Sequence, residues 1–297
     1  LAELFDTDQL TIEISRAAKR LLDLGDHNGW PWFDGGKGSP YITNHLVASY
    51  GHLKKLGVAS EIMKIKNLKL LSNKINDAVG YLDRHEDQKY WRMKKRNQEL
   101  YVSRNILHYF YSRSFYLKEI PLPNKEWVNI YKSILKKDWK ERGLQEQAMM
   151  AISFYRMGEL DFAKMMLKSL KERGTVSEER GMFWEQNQSS YYWWTSNIET
   201  HALLIEAFNE VNQDKKAVEN MRIWLLRNKE TNSWNSTKST AYACYSLLLG
   251  GENWLTDEHA IEISVAGKVL KVVKSNPKNS YEVLREPGTG YIKTSWK

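Results

Sequence analysis

Three carboxylates sit beside aromatic turns. Asp34 follows Trp30-Pro31-Trp32-Phe33, Glu185 follows Phe183-Trp184, and Glu199 comes shortly after Tyr191-Tyr192-Trp193-Trp194. Paired carboxylates near tryptophans are what a glycoside hydrolase on a helical toroid uses, one as acid and the other as base or nucleophile. Acidic residues in such places also cap helices and close turns, so a structural role is the competing reading. His45 and His52 would share one helix face two turns apart. That spacing is too long for metal ligands on adjacent turns, and no nearby cysteine or carboxylate completes a set, so both read as hydrogen-bonded structural histidines. Gly35-Gly36-Lys37-Gly38-Ser39 lacks the glycine spacing of a phosphate loop and no strand precedes it, so it reads as a turn. Cys244 is the only cysteine, which excludes an intrachain disulfide and a cysteine-based metal site. Its apolar surroundings, Ala243-Cys244-Tyr245-Ser246-Leu247, predict a buried structural thiol.

The aromatic turns point to the elements that hold these residues. Each leads into a helix whose opening carries a threonine: Trp30 to Phe33 before Thr43, Tyr191 to Trp194 before Thr200, and Trp234-Asn235-Ser236-Thr237 before Thr240. Recurrence of this kind implies repeated helix pairs, each covering its neighbour's apolar face. Helical spacing of apolar residues predicts helices near 8–25, 43–56, 61–86, 100–113, 125–141, 144–156, 161–173, 198–211, 215–227 and 237–249. The breaks between them are short, as for sequential antiparallel helices. Beyond Trp254 the pattern changes to alternation at Ile261, Ile263 and Val265, a turn at Gly267-Lys268, and further strand-like runs at 281–284 and 291–296. The expected organisation is a helical domain over 1–255 and the start of a β domain over 256–297.

Composition narrows the function classes. A chain of 297 residues with 12 tryptophans and 16 tyrosines suits packed helices around an aromatic-lined hollow. The net charge of +8 would permit contact with nucleic acid or a membrane surface. The basic residues form short clusters mixed with acidic ones and no nucleic-acid reading module accompanies them, so a solvated basic face is expected and no nucleic-acid partner. The chain begins at Leu1 without a charged-then-apolar leader and reads as a piece of something longer; no apolar run reaches membrane-spanning length.

Several of these segments together resemble bacterial alpha-2-macroglobulin family proteins of the Bacteroidetes type. The resemblance is carried by Asn28-Gly29-Trp30-Pro31-Trp32-Phe33 with Pro40-Tyr41-Ile42-Thr43, by Gly51-His52-Leu53-Lys54-Lys55-Leu56-Gly57, and by Gly181-Met182-Phe183-Trp184. It continues through Ile198-Glu199-Thr200-His201-Ala202-Leu203, Trp234-Asn235-Ser236-Thr237-Lys238-Ser239-Thr240-Ala241 and Gly288-Thr289-Gly290-Tyr291-Ile292. It implies a mainly α fold, an α/α toroid of the thioester-domain and terpenoid-cyclase-like kind with a short C-terminal β segment. It also implies an exported protein of the periplasm or cell envelope, often lipid-anchored outside this region, that traps attacking proteases and whose toroid contacts neighbouring β domains of the same polypeptide. In thioester-bearing members a Cys-x-Glu-Gln segment acylates the target. This chain lacks that segment, and Phe183-Trp184-Glu185-Gln186 has phenylalanine where the nucleophile would stand. No catalytic, cofactor-binding or metal-binding residue is therefore carried over. The expectation is a non-enzymatic endopeptidase inhibitor; a carbohydrate-active toroid using Asp34, Glu185 or Glu199, or a protein-binding scaffold, are the alternatives.

Overall fold

The computed structural model describes residues 7–27, 29–58, 64–188, 196–229, 233–249, 263–265 and 268–270. The protein is mainly helical, and two compact units divide it, Leu1–Gly251 and Glu252–Lys297. Ten α-helices are described in the first: α1 (Thr7–Leu24), α2 (Pro40–Lys55), α3 (Lys66–Lys95), α4 (Arg104–Ser114), α5 (Glu126–Asp138), α6 (Leu144–Arg156), α7 (Leu160–Glu172), α8 (Asn197–Ala207), α9 (Lys215–Arg227) and α10 (Thr237–Leu248). A short antiparallel pair, β1 (Thr175–Ser177) and β2 (Gly181–Phe183), lies between α7 and α8.

Helices α4 and α8 differ from α5 and α7 in how they are buried. On α4 every residue from Ile106 to Ser114 is buried, and on α8 every residue from Ile198 to Ala207. Helices covered on all sides are interior ones. By contrast α5 buries only Trp127, Val128, Tyr131 and Leu135, and α7 only Ala163, Met166, Leu167 and Leu170, the single stripe of a surface helix. The even helices pack in order, α2 on α4, α4 on α6, α6 on α8 and α8 on α10. His52 of α2 stacks on Tyr245 of α10 with ring centroids 3.9 Å apart. Outside them α3 packs on α2, α1 on α3, α7 on α6, and α9 on α8.

Serine starts most of the inner helices. Ser39, Ser103, Ser196 and Ser236 cap α2, α4, α8 and α10, each side chain accepting from a backbone N–H in the first turn. Pro40 at the start of α2 fits a position whose N–H has no helical acceptor. At α6 the Glu146 carboxylate takes this part, accepting the Gly143 N–H at 3.3 Å.

The tryptophan turns are tied at both ends. The Trp30 N–H donates to Thr43 Oγ1 at 3.0 Å, and the Trp30 indole donates to the Leu21 carbonyl near the end of α1 at 2.7 Å. The third turn repeats this: the Trp234 N–H reaches Thr240 Oγ1 at 3.1 Å and its indole reaches the Leu225 carbonyl of α9 at 3.0 Å. Tyr191 to Trp194 lie outside the described residues. Upstream of them Trp184 makes the equivalent indole bond, to the Leu170 carbonyl of α7 at 2.9 Å, while Thr200 Oγ1 donates to the Ser196 carbonyl at 2.8 Å. Each indole thus donates to a carbonyl in the last turn of an outer helix. Gly29 is required here: its φ is +85°, and a Cβ would stand 2.2 Å from Thr43 Oγ1.

Three details depart from the sequence reading. Helix α3 runs on to Lys95, because the acidic residues that interrupt its apolar stripe are themselves buried and bonded: Asp83 accepts from Arg113 Nε at 2.9 Å, and Glu86 contacts His85 Nδ1 at 3.1 Å. The helix expected to run to Val211 changes to a wider π turn over Phe208–Asn212 and stops at Gln213, whose φ is +51°. Cys244 is exposed rather than buried. It stands on the stripe Ala241, Cys244 and Leu248 of α10, which faces away from the buried Tyr242, Ala243, Tyr245 and Ser246.

In the second unit β3 (Ile263–Val265) and β4 (Lys268–Leu270) form an antiparallel hairpin, with Ile263 opposite Leu270. The strand-like runs at 281–284 and 291–296 lie outside the described residues.

Candidate functional site

The inner helices enclose two groups of polar side chains. One lies where the even helices begin. A cavity of about 30 Å³ is lined there by residues from the first two turns of all five, among them Tyr41 and His45 of α2, Arg104 and His108 of α4, Glu199 of α8 and Lys238 of α10. The spacing of a helix places residues one turn apart on the same face, so the serine caps bring these side chains to one mouth.

Rings run inward from the surface at this mouth. Trp32 stacks flat on Tyr41 with centroids 5.4 Å apart; Tyr41 meets His45 edge-on at 4.5 Å, and His45 lies 4.3 Å from His108. Lys238 Nζ pairs with Glu199 Oε2 at 2.8 Å, and an Arg104 Nη2–H donates to Gln145 Oε1. Burial pushes the His108 imidazole down to about 3, helped by Lys238 and Arg104. Burial also holds His45 well below the usual histidine range, with His108, Lys238 and Arg104 adding to it. Both rings are therefore neutral near pH 7. Burial, then the Glu199 carboxylate, raises the Tyr41 hydroxyl to about 12.

The second group lies toward the other ends of the same helices, centred on Glu206. Its carboxylate accepts from the Tyr111 hydroxyl at 2.6 Å, the Tyr245 hydroxyl at 2.7 Å and Arg156 Nη2 at 2.6 Å. Because Tyr111 gives its only proton to Glu206, its oxygen accepts from His52 Nε2 at 2.7 Å, which assigns that proton to Nε2. Arg156 also holds Glu210 through Nε at 3.0 Å and Nη2 at 2.6 Å, and its guanidinium lies 3.9 Å over the Phe115 ring. Burial acts to raise the Glu210 carboxyl, but Arg156 and Lys55 outweigh it and hold the group below its usual range. Every polar atom of Glu206 and Glu210 is thus spoken for by a buried or half-buried cation or hydroxyl. Gly51 makes this packing possible, since a Cβ there would meet the Phe115 ring at 2.5 Å.

Of the three carboxylates singled out in the sequence, only Glu199 lines the cavity. Asp34 is exposed on its turn, and Glu185 is exposed with Arg180 at 3.9 Å. Glu199 is tied to Lys238, and a cavity of about 30 Å³ holds a water or two rather than a sugar ring. Of the two histidines on α2, His52 belongs to the Glu206 group and His45 to the mouth. Among the described residues no group of three or more His, Cys, Asp or Glu side chains is placed to hold a metal, and no helix is long and apolar enough to cross a membrane. Sequence reasoning missed Arg104, His108 and Lys238. The signal that finds them is the recurring serine cap, which sets the register of the first two turns of α4 and α10. No family model matches the chain, and no curated protein matches it.

Proposed function

We propose that this chain is the α/α-toroid unit, followed by the start of a β domain, of an exported bacterial protease-trapping protein of the alpha-2-macroglobulin type. The observation that carries the reading is the repeated tie of a tryptophan turn to the next inner helix, at Trp30 and Thr43 and again at Trp234 and Thr240, inside the segments that carry the resemblance. Alternate inner and outer helices, with α4 and α8 buried on every side, support a toroid of helix pairs. The polar group around Glu206 is bonded within itself, and the cavity where the inner helices begin is only about 30 Å³. Such packing suits a scaffold that moves as a rigid body within a larger trap, and it leaves no room for a glycan beside Glu199.

In this reading the unit is non-enzymatic, its neighbours are β domains of the same polypeptide, and the protease is engaged by the whole protein at the periplasm or cell envelope, with any lipid anchor outside this chain. The test is size-selective protection. The full-length protein that contains this chain, mixed with a broad-specificity protease, is expected to shield large protein substrates while small peptide substrates are still cut. Turnover of a glycan by the unmodified chain, lost in Glu199→Gln, would favour the carbohydrate-active alternative instead.

A further inference from the structure

We infer that a groove at the far end of the inner helices binds an extended peptide segment in which one acidic side chain stands beside apolar ones. The inference goes beyond the protease-trapping reading and does not depend on it. The groove has a volume of about 970 Å³ and is lined by the ends of α2 and α6, the turn after α4, the start of α7 and the π turn that follows α8. Ligand clefts span roughly 300–1,000 Å³, so it is large enough for a short peptide.

The wall offers what a peptide presents. Leu160 at the start of α7 is 40% exposed, and Leu117 and Tyr155 line the groove half-buried, so apolar side chains find surface to cover. Asn209 and Gln213 supply side-chain amides, each with a donor and an acceptor to match a peptide unit. Among the described residues neither amide has a hydrogen-bond partner. Gln213 holds φ at +51°, where a helix ordinarily ends in glycine, and it follows a π turn, a distortion that recurs at functional sites. The turn uses the Gln213 backbone N–H, which donates to the Phe208 carbonyl, and makes no use of its side chain.

Charge selects the acid. Lys54 pairs with Glu119 and Lys55 with Glu210, both at 3.0 Å, and Arg156 is shared between Glu206 and Glu210 at 2.6 Å. These three cations stand in the last turns of α2 and α6, where they also complement the helix ends. Lys118 lies beyond the end of α4, is exposed, and has no charged partner among the described residues. The wall therefore keeps one uncompensated positive charge, which suits a single carboxylate and repels a lysine or arginine.

The purified chain can be titrated with acetyl-Ala-Leu-Asp-Leu-Ala-amide and with counterparts carrying Asn or Lys in place of Asp. Side-chain amide resonances of Asn209 and Gln213 report the groove, and calorimetry reports affinity. The Asp peptide is expected to move both sets of resonances and to bind about tenfold more tightly than the Asn peptide, the effect of one charge-assisted contact, with the Lys peptide weakest. Lys118→Glu, at an exposed position, should invert the order of the Asp and Lys peptides. Gln213→Gly suits the left-handed backbone, so it keeps the fold while removing the amide, and it should weaken the Asp and Asn peptides alike by about fivefold. Circular dichroism checks the fold of both variants. The inference is overturned if the Asp peptide moves neither set of resonances, if the Asp and Lys peptides bind alike, or if folded Lys118→Glu or Gln213→Gly binds the peptides as the unmodified chain does.

Discussion

The Tyr111 hydroxyl donates to Glu206 Oε2 at 2.6 Å, joining α4 to α8 across 95 residues of sequence. With Tyr245 and Arg156 on the same carboxylate, four inner helices meet at one buried charge. Breaking a buried ion pair from one side costs more than the pair contributes, because the remaining charge keeps its desolvation penalty. Arg156→Met, which leaves buried Glu206 without a cation and Glu210 with Lys55 alone, is expected to destabilise the fold by about 3 kcal/mol or more. Tyr245→Phe removes one donor of three and should cost about 1.5 kcal/mol. Urea unfolding of both variants checks the order; equal losses would show that the network is not shared in this way.

That network was closed to sequence reading for a definite reason. Tyr111, Arg156, Glu206 and Tyr245 lie on four helices, and nothing local marks a glutamate in an apolar run as paired. The helices themselves are legible, because apolar residues recur at helical spacing; the caps Ser39, Ser196 and Ser236 at the starts of α2, α8 and α10 are marks the sequence reading does not use. Helix α3 was read short where Asp83 and Glu86 interrupt its stripe; burial of these acids depends on Arg113 and His85, which the stripe does not reveal. At the mouth, Glu199 was found by its neighbouring aromatics. Arg104 and Lys238 were not, since a lysine or arginine at a helix start reads as solvated until several starts are brought together.

The pH dependence of stability follows from the buried histidines. Burial is the largest cause holding His52, His108 and His201 each at about 3, with Arg156 and His108 adding to the first and Lys238 and Arg104 to the second. At His201 a bond to the Met221 carbonyl works against burial. In the unfolded chain a histidine takes its proton near 6.5, so between about 6.5 and 3 the unfolded state binds more protons. The stability these groups contribute is complete above the unfolded value and is lost as pH falls. Unfolding free energies should decline below pH 6.5 by at most about 1.4 kcal/mol per pH unit for each such histidine. A flat profile from pH 7.5 to 5 would contradict neutral burial.

Two glycines of the first aromatic turn separate conformational strain from steric contact. Both have positive φ, +85° at Gly29 and +73° at Gly35. A Cβ at Gly35 meets nothing within 4 Å, so Gly35→Ala should cost about 1 kcal/mol, the left-handed penalty alone. At Gly29 the Cβ would strike Thr43 Oγ1 at 2.2 Å and displace the Trp30 tie, adding about 2 kcal/mol more. Thermal unfolding of the two variants gives the comparison, and similar losses would mean that the turn yields at Thr43.

Cys244 offers a direct probe of the outer stripe of α10. An exposed thiol should react stoichiometrically with a thiol reagent in the folded protein, at a rate that denaturant changes little. Labelling that appears only on unfolding would place the thiol back in the interior that its neighbours suggest.

The central proposal is that this helical unit is a scaffold within a protease trap. The most direct measurement is the ratio of protein-substrate to small-peptide cleavage by a broad-specificity protease, before and after incubation with the full-length protein containing this chain. The account predicts that the ratio falls sharply, with small-peptide cleavage retained. An unchanged ratio, with large substrates cut as fast as before, would contradict it.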